Sequence, residues 1–224
     1  MDEATREQNR DLSTLGPNVD LETRSARFSG FPPDPKDLGM YSVGLSTGDM
    51  VATLAANSTL WSMRWTSSAA RCAIESIYIW LVLTAGSTLG ALFGFDLFVA
   101  RSFTASDSGG TAATLTGNNQ KRRTNMGTSL MTDMRIAGTT GLTVGTRTLD
   151  AHPVAHILSH TGTIIGTVAD GFAGVALYAT PFPAQYPLTL DANEGLVIRN
   201  TLAGPADGTF RVIVNPSWTE TDIF

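Results

Sequence analysis

The stretch from Ile77 to Phe95 carries no charged side chain, and its residue types alternate with a period of two. Successive side chains of an extended chain point to opposite faces of a sheet. One face of the first half is aliphatic and comprises Ile77, Ile79, Leu81 and Leu83. The opposite face is aromatic, hydroxylic or smaller, at Ser76, Tyr78, Trp80, Val82 and Thr84. The alternation resumes after a connection at residues 85–90, with Phe93, Phe95, Leu97 and Val99 on one face. The pattern predicts two strands, each with an apolar face.

The same stretch also has the length of a membrane-spanning helix, which needs about 20 apolar residues. Gly86, Gly90 and Gly94 are spaced four apart, as in packed membrane helices. Against this alternative, Trp80 would lie inside the span, although tryptophan prefers the membrane interface, and no Lys or Arg cluster flanks the stretch. We therefore favour two strands of a sheet and expect no membrane contact.

The chain after Gly39 consists of short apolar runs separated by Gly, Pro, Ser, Thr and Asn. Near the C-terminus, residues 195–201 and 208–218 are strand-like, and the turn-forming residues 202–208 between them predict a hairpin. Short strands with such turns are typical of sandwiches and barrels. We predict an all-β fold, a jelly-roll-like β-sandwich, over residues 39–224.

Residues 1–38 have few apolar side chains and no sustained period. Pro32, Pro33 and Pro35 favour an extended backbone there. Two interpretations remain open: a disordered tail, or an extended N-terminal arm that orders only on a neighbouring subunit. Under the second, the candidate partner contacts are Leu12, Leu15, Phe28 and Phe31.

Charged residues make up only 16% of the chain, against about 25% in an average domain. A surface with so little charge predicts that copies of the chain or other partners cover part of it. The net charge of −5 argues against nucleic acid as a partner, because nucleic-acid binding leaves a basic footprint. Cys72 is the single cysteine, which excludes an intrachain disulfide, and we expect it to be a small buried side chain.

The sequence contains no nucleophile elbow, phosphate-binding loop or HExxH motif, so we predict no enzymatic activity and no cofactor. His152, His156 and His160 are spaced four apart and form the best candidate for a metal site. A strand would place successive histidines about 13 Å apart, and Pro153 would disturb a helix. We favour a strand with scattered histidines that binds no metal, and keep a metal-dependent hydrolase as a weaker hypothesis.

Residues 117–127 form a polar segment that contains Arg122 and Arg123. One interpretation is an ordinary solvated loop. The other is a contact with an acidic partner surface, since arginine forms bidentate bonds with carboxylates.

Two segments are distinctive: ARSFTASDSGGTAATLTGNNQKRRTNMGTSLMTDMRIAGTTGLTVGTRTLD, residues 100–150, and YPLTLDANEGLVIRNTLAGPADGTFRVIVNPSWTE, residues 186–220. Both resemble uncharacterised structural proteins of tailed bacteriophages. The resemblance implies a virion component, with head decoration, head fibre and tail accessory roles all open. It carries over no functional residues.

Composition and resemblance together lead us to expect a structural virion protein. We expect a homo-oligomer, with a trimer as the working expectation, that decorates or cements a phage head by binding the major capsid protein. The alternative is a tail or fibre accessory protein that binds a host surface such as glycan. In that case Tyr78, Trp80 and the pair Trp61 and Trp65 are candidate stacking surfaces, although packing in the core explains them more simply.

Overall fold

The computed structural model describes residues 37–85, 91–161, 171–180 and 187–221. In these ranges the chain forms β-strands and connecting segments, and no helix. The strands are β1 Asp37–Ser42, β2 Leu45–Ser46, β3 Thr59–Trp65, β4 Arg71–Ala85, β5 Ala91–Ala105, β6 Thr111–Ala112, β7 Asp133–Ile136, β8 Thr146–Leu149, β9 Ala155–Thr161, β10 Gly171–Ala179, β11 Leu188–Leu190, β12 Glu194–Asn200 and β13 Thr209–Thr221.

The strands form two antiparallel sheets. The first sheet has the order β1-β13-β4-β10, with β2 added to β13 and β11 added to β4. The second sheet has the order β6-β7-β3-β12-β5-β8, with β9 added to β5. The predicted all-β sandwich is therefore confirmed.

The stretch from Ile77 to Phe95 forms parts of β4 and β5, as predicted. The aliphatic face of β4 is buried, whereas Tyr78 and Thr84 on the opposite face are exposed. The two strands belong to different sheets, so the chain changes sheet within this stretch. In the described ranges, no helix has the length and hydropathy that a membrane-spanning helix requires.

The core lies between the two sheets and receives large side chains from both. Phe93 on β5 meets Phe210 on β13 edge to face, with ring centroids 5.0 Å apart. On β3, Trp61, Met63 and Trp65 are fully buried. This burial removes Trp61 and Trp65 as stacking surfaces for a ligand.

The predicted C-terminal hairpin is wrong. β12 pairs with β3 and β5 in the second sheet, whereas β13 pairs with β4, β1 and β2 in the first. The segment between them bonds to the loop before β3 instead of closing a hairpin ladder. The Gly204 amide donates to the Leu54 carbonyl over 2.7 Å, and the Thr53 amide donates to the Pro205 carbonyl over 2.7 Å. Residues 202–208 do connect two strands, as predicted, but these strands belong to different sheets.

The boundary of the sandwich lies slightly earlier than predicted, because β1 begins at Asp37 within the segment assigned to the arm. The chain divides into one unit at residues 1–36 and another at residues 37–224. Leu12, Leu15, Phe28 and Phe31 lie outside the described residues, so their assignment as partner contacts remains a prediction.

Candidate interaction site

The loop that contains Arg122 and Arg123 is bonded to the edge of the first sheet. The Arg122 amide donates to the Met40 carbonyl over 3.1 Å, and the Ser42 amide donates to the Gln120 carbonyl over 3.1 Å. The Arg122 guanidinium donates to the Ser217 hydroxyl over 2.9 Å and lies 3.4 Å from a carboxylate oxygen of Glu75. Arg122 therefore helps to attach the loop to its own sheet, although its side chain is still 39% exposed.

Arg123 differs from its neighbour. It is exposed, and within the described part of the chain its guanidinium has no hydrogen bond and no carboxylate partner. Of the two arginines proposed from the sequence, Arg123 is thus the one whose guanidinium is not bonded to another described residue. Five guanidinium donors in a planar fork suit a carboxylate on such a partner.

A buried carboxylate fixes the segment that follows the loop. Glu220 on β13 is fully buried and accepts hydrogen bonds from the Ser129 hydroxyl at 2.5 Å, the Leu130 amide at 2.9 Å and the Trp218 indole at 3.1 Å. Three donors compensate much of the hydration that the carboxylate lost on burial. Sequence reasoning missed Glu220, because its donors lie about ninety positions away or are strand neighbours whose orientation depends on the fold.

This carboxylate affects two ionisable neighbours in the first sheet. Burial, and secondly the negative charge of Glu220, raise the pKa of Tyr41 to about 12. The same two causes, in the same order, raise the pKa of the Cys72 thiol well above its usual value. Cys72 is buried and free, as predicted, and a buried protonated thiol is a poor nucleophile.

The three histidines are exposed, and two of them lie on β9. His156 is opposite Asp96 on β5, with its Nδ1 atom 3.4 Å from a carboxylate oxygen, and His160 is opposite Leu92. The predicted strand is confirmed for His156 and His160, which lie about 13 Å apart along it, whereas His152 precedes the strand. No group of three potential metal ligands occurs among the described residues.

Two aliphatic side chains project from the outer surface of the second sheet. Leu92 on β5 is 48% exposed and Leu158 on β9 is 50% exposed. Leu158 lies opposite Gly94 and covers it, because a Cβ atom at Gly94 would be within 2.8 Å of the leucine methyl group. We call Leu92 and Leu158 the leucine pair. The sequence showed alternation here but not which face another layer would cover.

The outer face of the first sheet carries aromatic side chains. Tyr78 and Trp80 are two positions apart on β4, with ring centroids 6.2 Å apart and ring planes inclined by 38°. Tyr78 is 40% exposed, and Trp80 is half-buried. Of the four aromatic residues proposed from the sequence as stacking surfaces, Tyr78 and Trp80 are therefore the two that reach solvent.

Comparison of the chain with protein-family models, with curated proteins and with solved structures found no match.

Proposed function

We propose that the chain is a structural subunit of a bacteriophage virion that self-associates and decorates or cements the head by binding the major capsid protein. The resemblance of residues 100–150 and 186–220 to tailed-phage structural proteins supports this class of function. A two-sheet sandwich is a rigid scaffold on which surface contacts can be built.

The leucine pair is the observation that carries the proposed self-association. Two adjacent leucines, each about half exposed, add apolar surface to a protein with only 16% charged residues. Burial of such apolar surface by a partner stabilises the complex by roughly 25 cal/mol per Å². When the copies associate symmetrically, several weak contacts with the capsid act together. The avidity of the oligomer then exceeds the affinity of each contact.

Arg123 and the N-terminal arm provide the proposed contacts with the capsid. The arginine presents an open cationic group to an acidic surface. The apolar positions of the arm, Leu12, Leu15, Phe28 and Phe31, add buried area if the arm orders on binding, and the ordering entropy is lost only then.

Light scattering on a size-exclusion column tests the self-association. We expect a single species whose mass is a multiple of 23.7 kDa. Leu158→Asp should shift it to the monomer because it places a charge in the contact. Val144→Asp is the matched control, since Val144 is 59% exposed and lies outside the leucine pair. A wild-type monomer at micromolar concentration would refute the proposed oligomer.

Sedimentation with purified heads of the phage that encodes the chain tests the capsid contact. We expect the full chain to bind the heads, and binding should fall at least tenfold when residues 1–36 are removed or when Arg123 is replaced by alanine. Gold labelling of intact virions then separates the two candidate locations. Label over the head supports decoration, whereas label at the tail tip supports the alternative of a host-binding accessory protein.

A further inference from the structure

An aromatic platform on the first sheet offers a binding surface that the proposed capsid role does not use. We define the platform as Tyr78 and Trp80 on β4, Gly174 on β10 and Asn215 on β13. Of the four tryptophans in the chain, the other three are fully buried, so Trp80 is the one that is partly exposed.

The strand beside the platform is irregular at two points. The register between β10 and β4 shifts within residues 172–175, opposite Trp80, and again within residues 176–178, beside Tyr78. Bulges re-aim side chains and increase the local twist, and they are over-represented at sheet edges and next to active sites. Both shifts lie on the edge strand that borders the aromatic pair.

Gly174 determines how the indole of Trp80 lies. A Cβ atom at position 174 would overlap with the Cε2, Cζ2 and Nε1 atoms of the indole. The ring therefore packs directly against the glycine backbone, which restricts its movement. A ligand that stacks on a ring already held in place loses less conformational entropy on binding.

Polar groups without net charge border the two rings. Asn215 lies directly opposite Tyr78 in the strand register, and its side-chain amide has no hydrogen-bond partner among the described residues. Arg211 is paired with Val82, two positions from Trp80 along β4, and it forms a two-bond ion pair with Asp49 at nitrogen–oxygen distances of 2.7 Å and 3.2 Å. The hydrogen bond from Arg211 is the largest cause that lowers the pKa of Asp49, so the carboxylate is ionised and matched by its arginine.

We propose that this platform binds a neutral pyranose residue of a glycan. A pyranose ring has a face of C–H groups that packs on an aromatic ring, and hydroxyl groups around its edge that bond with amide, carboxylate and guanidinium groups. The matched charges at the border favour a neutral sugar over an acidic one. Two rings and one amide also fit a single sugar better than a stable protein interface, which buries about 800 Å² on each partner.

The test uses the full-length protein on an array of neutral gluco-, galacto- and mannopyranose oligosaccharides with matched sialylated and sulfated versions. We expect binding to at least one neutral series. Titration with the bound oligosaccharide should change the fluorescence of Trp80 and reduce its quenching by acrylamide. Trp80→Ala and Tyr78→Ala should each weaken binding at least tenfold. Gly174→Ala should do so as well, because it displaces the indole without removing it.

Val144→Ala is the matched control and should leave sugar binding unchanged, because Val144 is 59% exposed and belongs neither to the platform nor to the leucine pair. The proposal is overturned if the wild type binds no sugar on the array, if it binds only the acidic versions, or if Trp80→Ala binds as the wild type does. Should Trp80→Ala change the oligomer mass while the wild type binds no sugar, the platform is a protein interface. Binding to phage heads is measured in parallel and should not change in Trp80→Ala, so a failure of the glycan proposal is separate from a failure of the capsid proposal.

Discussion

Tyr41 shows how a single buried hydroxyl group makes the stability of the sandwich depend on pH. The side chain is fully buried, its hydroxyl donates to the Gly127 carbonyl over 3.0 Å, and its ring stacks on Trp218 at 5.6 Å. Its folded pKa is raised to about 12, whereas an unfolded tyrosine ionises near pH 10. Above pH 10 the unfolded chain therefore loses this proton first, and the folded state loses relative stability.

We predict that the free energy of unfolding falls between pH 10 and pH 12, by up to about 3 kcal/mol from this group alone. Urea unfolding at pH 8, 10 and 11 measures the decline. Tyr41→Phe should start about 1 kcal/mol less stable at pH 8, because the hydrogen bond is lost, and should decline less steeply above pH 10. Identical slopes in the two proteins would show that another group causes the decline.

A second prediction at the scale of one residue concerns Glu220. In Glu220→Gln, one acceptor oxygen becomes an NH₂ group that faces the Leu130 amide or the Trp218 indole, which are also donors. We expect a loss of about 2–3 kcal/mol in the free energy of unfolding at pH 7. Asp191→Asn is the control, because Asp191 forms an ion pair that is largely exposed and should cost less than about 1 kcal/mol. Equal losses would mean that the buried hydrogen bonds of Glu220 contribute little.

At the scale of strands, Gly195 is required by the close approach of three strands. It lies on β12 between β3 and β5, and a Cβ atom there would overlap with the Met63 carbonyl oxygen and crowd the Phe103 ring. We predict that Gly195→Ala lowers the free energy of unfolding by about 3 kcal/mol, because the obstacle is backbone that cannot move aside. Gly44→Ala is the control, since nothing lies within 4 Å of its added methyl group. Thermal unfolding compares the two variants, and equal midpoints would contradict the argument.

The strands themselves were predictable where one face is core and the other is not. The alternation on β4 predicts one face with Ile77, Ile79 and Leu81, which is buried, and the opposite face with Tyr78 and Trp80, which reaches solvent. Pairing was not predictable, because a turn signal marks a change of direction and does not say which sheet receives the next strand. The C-terminal strands are the example: residues 202–208 carry a chain from one sheet to the other.

The residues of the candidate sites were likewise predictable only where the local alternation decides their exposure. Tyr78 and Trp80 were found from local alternation, but Gly174 was not, since its contact with Trp80 depends on the register of two distant strands. The sequence also could not distinguish Arg122 from Arg123, because the two are neighbours in one polar loop. Only the fold shows that Arg122 is bonded within its own sheet. Long-range pairing decides which members of a local pattern are accessible.

At the scale of the whole molecule, the last prediction concerns where the independently stable unit begins. The described core is built from strands after residue 36, and β1 contributes the fully buried Tyr41 and the buried Met40 to it. Removal of residues 1–36 should therefore leave the thermal midpoint within a few degrees of the full chain. Removal of residues 1–42 should lower the thermal midpoint by more than 10 °C, because the chain then loses β1. With β1 it loses the Tyr41 ring stacked on Trp218 and the backbone bonds to the loop that contains Arg122.

Calorimetry of the two truncated chains beside the full-length protein measures the difference. A large destabilisation by the shorter deletion would mean that the first 36 residues support the sandwich, so the arm would be structural in each subunit and not a contact reserved for the capsid. Equal stability of both truncated chains would instead show that β1 adds little. The shorter deletion also decides how the head-binding experiment is interpreted, because a loss of capsid binding identifies a contact only when the remaining subunit is folded.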